Sequence, residues 1–225
     1  MLLEVIVQSV SDAREAARGG ADRLEVVRNL EAGGLTPPHD LVRAIAAEVS
    51  LPLRVMVRDN DGYSIQAGER TALADAAARF ADFGVDGIVI GFARGGQLHI
   101  DPVIDIVPAA VNVTFHRAFD QLADPCGAIA TLSAVAQIDR ILTSGGEGSP
   151  MARCERLHQY QALAGSRLTI VAGGGGDEEV LGLLARRKVM REVHVGRAAR
   201  EGHRVDGAVS AGLVRRLRTL LDSAN

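Results

Sequence analysis

The chain has 225 residues, 47 % hydrophobic and 24 % charged, with 25 glycines, enough to close one well-buried core. Its 25 basic and 28 acidic residues leave a net charge of −3, so no electrostatic footprint for nucleic acid or an anionic membrane stands out. No apolar run approaches the ~18 residues of a membrane span. Two cysteines cannot build a disulfide framework, which points to a reducing, cytoplasmic setting. The opening MLLEVIVQSVSDAREA lacks the basic start of a signal peptide.

In chain order, the strand candidates are LEVIVQ (3–8), RLEVV (23–27), LRVMVR (53–58), GIVIG (87–91), NVTFHR (112–117), RILTS (140–144), LTIVAG (168–173) and EVHVG (192–196). Their starts lie 20 to 34 residues apart, the length of one strand plus one crossover helix. Helix signals fill the gaps. Asp12 with Glu15 has capping-box spacing, Thr36 before Pro37 reads as an N-cap and first helical residue, and Asp177 precedes two glutamates at a helix start. The last helix is expected over 205–224. Eight such units without a linker predict one domain over 1–225, a (β/α)₈ TIM barrel. An open doubly wound sheet is the alternative, but the glycine fingerprint after its first strand is missing.

In a barrel the site lies at the C-terminal ends of the strands, and the loops there carry the unusual residues. They are RDNDGY (58–63), Arg117 to Asp120, TSGG (143–146) and GGGG (173–176). Strand residues alternate in direction, so the polar set Glu4, Glu25, Arg54, Arg58, His116, Glu192 and His194 is expected to face inward. For Glu4, Glu25, Arg54 and Glu192, early in their strands, a register-fixing ion network is the plainer reading. His116 and His194, nearer the strand ends, are candidates for a proton-transfer or ligand pair, with Arg58 anchoring an anion and Glu4 and Glu25 in support.

Loops 7 and 8 form a candidate anion site. Glycines expose backbone N–H groups, and a short helix from about Arg197 would aim its positive end there. The candidate ligand-binding set is Arg117, Asp120, Ser144, Gly174, Gly175, Gly196 and Arg197. VGRA (195–198) is similar to a segment of phosphate-binding barrels of histidine biosynthesis and orotidine-phosphate decarboxylation. Tight strand-to-helix turns also need glycine. One residue, Lys188, is the chain's only lysine; it falls before strand 8 on the face remote from the site, which excludes Schiff-base chemistry. Cys126 and Cys154 fall in outer helices, and His39, His99, His158 and His203 read as surface or cap residues. No ligand spacing specifies a metal site, although a divalent ion on Glu4, Glu25 and His194 is conceivable.

VTFHRAFD (113–120) resembles the hallmark segment of the CutC copper-homeostasis family. LEV (3–5), GADRLE (20–25), EAGGLTP (31–37), Arg58, ILTSGG (141–146) and EVH (192–194) match in order over nearly the whole chain. The resemblance implies a (β/α)₈ barrel, a cytoplasmic and often oligomeric protein, and copper as the cofactor. Copper-linked members carry cysteines at the end of strand 1 and on strand 2, where this sequence has Ile6, Val7 and Val27. DNDGYS (59–64) also replaces a segment like PRGGDFCYS, and HVGRAAR (194–200) one like HSSA. Copper(I) prefers thiolate or thioether ligands. The reading is therefore a barrel enzyme acting on a small anionic molecule by lyase or isomerase acid–base chemistry. A copper-binding protein and a non-catalytic small-molecule binder are the alternatives.

Overall fold

The computed structural model describes residues 1–174, 178–188 and 190–223. Strands β1 (Leu2–Val7), β2 (Arg23–Val26), β3 (Leu53–Met56) and β4 (Gly87–Ile90) come first. A hairpin follows, β5 (Ala93–Arg94) with β6 (Gln97–Leu98), and then β7 (Val113–Phe115), β8 (Ile138–Thr143), β9 (Thr169–Ala172) and β10 (Glu192–Val195). The helices are α1 (Val10–Gly19), α2 (His39–Glu48), α3 (Glu69–Asp82), α4 (Asp101–Ile106), α5 (Pro125–Ser133), α6 (Pro150–Ala164), α7 (Glu178–Arg187) and α8 (Ala211–Asp222). The parallel strands close in the order β1-β10-β9-β8-β7-β4-β3-β2, which is the expected (β/α)₈ barrel.

Alternation along each strand separates two environments. Leu3, Val5, Val7, Leu24, Val26, Val55, Ile88, Ile90, Val113, Phe115, Val193 and Val195 join the core between barrel and helices. Ile6, Val27, Met56 and Val89 form a second apolar cluster, with Leu30 packed against it. They belong to the opposite alternation and sit in the lumen. Register fixes their levels: Glu4 stands beside His194 and Arg23, and Ile6 beside Glu25. Gly87 leaves room for the lumen side chains, since a Cβ there would lie 2.5 Å from Arg54 Nη1 and 2.6 Å from the Asn112 carbonyl.

Several expected element starts shift. The α1 N-cap is Ser9, whose hydroxyl accepts from the Asp12 N–H; Asp12 accepts from the Gln8 N–H. Thr36 does not cap α2, because its Oγ1 accepts from the Arg58 N–H and donates to the Arg58 carbonyl. The last helix starts at Ala211, since Arg200 and Val209 form an antiparallel bridge before it. The β5–β6 hairpin, turning on Gly95 and Gly96 with positive φ, was not legible between strand 4 and its helix. Asp177, the expected start of helix 7, lies outside the described residues, as do Gly175, Gly176 and Ala224. Lys188 follows α7, exposed, with φ of 53°, at the end of the barrel away from the C-terminal strand ends. Among the described residues no helix is long and apolar enough to cross a membrane.

Candidate functional site

The N-terminal half of the lumen is filled by alternating charges rather than aliphatic layers. Glu4 pairs with Arg23, and Arg23 Nη2 reaches Glu192 Oε2 at 2.5 Å. Glu192 also takes Arg140 Nε at 2.9 Å, and Arg140 contacts Asp139. Arg54 grips Asp139 through two nitrogens, at 2.9 and 2.7 Å, and holds Asp86 at 2.6 Å. Of the four residues expected in an ion network, Glu4, Arg54 and Glu192 are joined in this one, while Glu25 makes no hydrogen bond through Oε2. Arg23 was missed as a site residue, though period-two counting back from Glu25 places it on the inward face.

Above this ladder the strand ends open onto a cavity of about 390 Å³. Glu25 and His194 lie at its floor. Ile6, Val27, Leu30 and Met56 form one wall, while His116, Arg117 and Arg197 stand elsewhere on the lining with Arg58 and Tyr63. Gly174 and Gly196 also line it, so most of the candidate residues converge. Glu4 lies one level below the cavity, beside His194. Asp120 and Ser144 are not on the lining. Asp120 instead accepts from Thr143 Oγ1 at 2.5 Å, the Ser144 N–H at 3.1 Å and Arg117 Nε at 2.9 Å. Both residues thus tie loops together. The expected helix at Arg197 is one 3₁₀ turn, Arg197–Ala199, too short to carry a macrodipole.

Arg58, expected as an anchoring fork, lines the cavity with its guanidinium bonded to loop carbonyls. Its guanidinium donates to the carbonyls of Gly62 (3.2 Å), Ala32 (3.4 Å), Gly34 (3.2 Å) and Asp61 (2.5 Å). It also lies 4.9 Å from the Tyr63 ring centroid. No salt bridge to a carboxylate forms among the described residues, so Arg58 holds two loops and gives the cavity a positive field. Tyr63 was missed, because an aromatic in a polar loop carries no periodic signal.

The two histidines are unlike. His116 Nδ1 accepts from the Ala118 N–H at 3.2 Å, which assigns the ring proton to Nε2. Burial, then Arg58 and Arg117, push its pKa down to about 3. His116 is therefore a neutral donor near pH 7, not an imidazolium acid. His194 Nδ1 bonds Glu4 Oε1 at 2.7 Å. Burial opposes its charge, but Glu25 and Glu4 outweigh burial and raise its pKa. Burial likewise disfavours the Glu4 carboxylate, yet Arg23 and His194 hold its pKa well below the usual range. Glu25 Oε2 lies 3.1 Å from His194 Nδ1 but makes no hydrogen bond, because the Nδ1 proton is directed at Glu4. Burial, with a contribution from Glu4, pushes Glu25 up to about 7 against the pull of His194 and Arg23.

One donor atom each from Glu4, Glu25 and His194 lies within 4.8 Å of the others, a two-oxygen, one-nitrogen set. Copper(I) favours sulfur. Cys126 is exposed on α5 and Cys154 buried in α6, both outside the lumen. Met56 is the one thioether on the cavity wall among the described residues. These residues do not fit copper(I).

The CutC family model matches residues 1–199. A human copper homeostasis protein cutC homolog is 35 % identical over 179 residues, covering 77 % of this chain. The chain spans 65 % of the length of that relative. A family protein CutC from Photobacterium profundum is 32 % identical over 216 residues, covering 93 % of this chain and 87 % of its own. The crystal structure of the putative CutC from Streptococcus agalactiae superposes with a TM-score of 0.79 at 21 % identity, covering 87 % of this chain and 98 % of that one. Phosphoribosyl anthranilate isomerase from Thermotoga maritima shares the fold at a TM-score of 0.67 and 13 % identity, with 99 % and 100 % covered. The lumen pattern, the barrel and these matches agree: the chain belongs to the CutC family.

Proposed function

We propose that this barrel is an enzyme of the lyase or isomerase type that moves a proton on a small organic anion. The observation that carries this reading is Glu25. It is a buried carboxylate at the cavity floor, without a hydrogen-bond partner on Oε2 and titrating at about 7. A base is most effective when its pKa lies near the working pH, and Glu25 lines the cavity with no hydrogen-bond donor committed to its Oε2. His194, held by Glu4, keeps a positive charge beside the base. The neutral His116 offers an Nε2–H to polarise a carbonyl or hydroxyl oxygen. Arg117 and Arg197 at the wall, with the field of Arg58, favour an anionic ligand. In an isomerase the proton taken by Glu25 returns to the same or a neighbouring atom of the substrate, and in a lyase it passes to the group that leaves as the bond beside the carbanion breaks; neither course needs a redox partner. Copper(I) enters no step, because the two-oxygen, one-nitrogen donor set does not suit it.

The reading is tested by incubating the protein in D₂O with small oxo acids, hydroxy acids and phosphate esters and following C–H exchange by NMR. Exchange that falls by at least a hundredfold in Glu25→Gln supports it. A compound shown to bind the cavity, yet exchanging or turning over no faster than with Glu25→Gln across the panel, removes it.

A further inference from the structure

We infer that the ligand is an amphipathic organic anion, with its charged group toward β7–β10 and a branched alkyl or aryl group against β1–β4. This deepens the reading above and rests on it for the cavity being a substrate site. At the level of the cavity, the apolar lumen residues from the first four strands and the turns just after them are Ile6, Val27, Met56 and Val89, packed with Leu30; the same arc carries Glu25 and Tyr63, and Arg58, whose guanidinium is engaged by loop carbonyls. All but Val89 reach the cavity wall. The other arc supplies His116, Arg117, His194 and Arg197, with Leu142 and Val205 as its apolar members. Barrel closure joins β4 to β7 and β1 to β10, so the two arcs face each other across the space.

A polyhydroxylated ligand would set hydroxyls against aliphatic side chains that cannot replace their water. A ligand apolar at that end instead removes the wall itself from water. The volume of about 390 Å³ is at the small end for small-molecule sites, which leaves room for one ring or a short branched chain beside the anionic group. Glu25 lies in β2, level with Ile6, and on the floor with His194. Its strand lies within the apolar arc, but its Oε2 is 3.1 Å from His194 Nδ1 of the other arc, so the atom that yields its proton lies between the apolar group and the charge.

Calorimetric titration at fixed ionic strength tests this with two matched series. One compares glycolate with 4-methylpentanoate and phenylacetate; the other compares glycerol 3-phosphate with phenyl phosphate. The apolar members are expected to bind at least tenfold tighter than the polar member of their series, since each buried methylene contributes about fourfold. The series with the tighter apolar member identifies the charged group as carboxylate or phosphate. Val27→Thr, which keeps the branched shape, should collapse the preference, and Met56→Gln provides the same reading should Val27→Thr fail to fold. Equal or tighter binding of glycolate or glycerol 3-phosphate, an unchanged preference in the variants, or no binding of any probe overturns the inference. The two readings fail separately. Selective binding without deuterium exchange removes acid–base catalysis and keeps the ligand class, whereas exchange on a polar sugar phosphate does the reverse.

Discussion

Glu4 and Glu25 are inward glutamates on neighbouring strands, one lumen layer apart, yet their surroundings drive them in opposite directions. Glu4 is answered by Arg23 and by the His194 proton, so it stays ionised. Glu25 has the same burial without a dedicated donor, and its folded pKa rises from 4.5 to about 7. A raised carboxyl pKa contributes stability that is complete below pH 4.5 and lost as pH climbs through about 7. Glu25→Gln removes that loss. Its unfolding free energy should match the parent near pH 4.5 and exceed it at pH 8 by roughly 1–3 kcal/mol, read from urea unfolding at the two pH values. Equal pH slopes would show that Glu25 titrates normally. His194 and Glu25 were legible because period-two alternation names the inward face. Their division of labour was not, because it depends on which donor reaches which oxygen.

The strands work as elements through their charge ladder. Each parallel strand delivers inward side chains at fixed levels, so a register slip would turn every charge toward the helices. Arg23 is the central member, 2 % exposed and bonded to both Glu4 and Glu192. Removing one partner of a buried pair leaves the others uncompensated. Arg23→Leu is therefore expected to cost about 3–5 kcal/mol, measured by chemical denaturation. A loss below about 1 kcal/mol would mean that water or rearrangement replaces the arginine. The seam of the barrel depends on a comparable contact: Arg200 Nη2 bonds the Ile6 carbonyl and Asp12 Oδ2, and Asp12 Oδ1 accepts from the Val209 N–H. Neither Asp12 nor Arg200 was legible in this role, because they lie 188 residues apart in sequence.

At the scale of the whole molecule, the barrel separates both thiols from the lumen. Cys126 and Cys154 ride on outer helices, while the cavity presents carboxylates, imidazoles, guanidinium groups and an aliphatic wall. Copper(I) titrated against a competing chelator is expected to bind the folded protein no more tightly than an unfolded control, given the thiolate preference of that ion. Tight one-to-one binding that survives replacement of both cysteines by serine would overturn this expectation and assign a lumen site.

Eight strand–helix repeats, the alternation of each strand and the single lysine were enough to determine the (β/α)₈ architecture, its inward polar set and the lack of a lysine near the strand ends. These are local and periodic properties, written in each segment independently. Tertiary structure decided the rest: that Arg58 spends its fork on loop carbonyls, that Asp120 and Ser144 brace a loop, and that Glu25 is left without a donor. Each depends on groups brought together by barrel closure across tens of residues. The protonation state of a buried group follows from those neighbours and not from its own position in the chain.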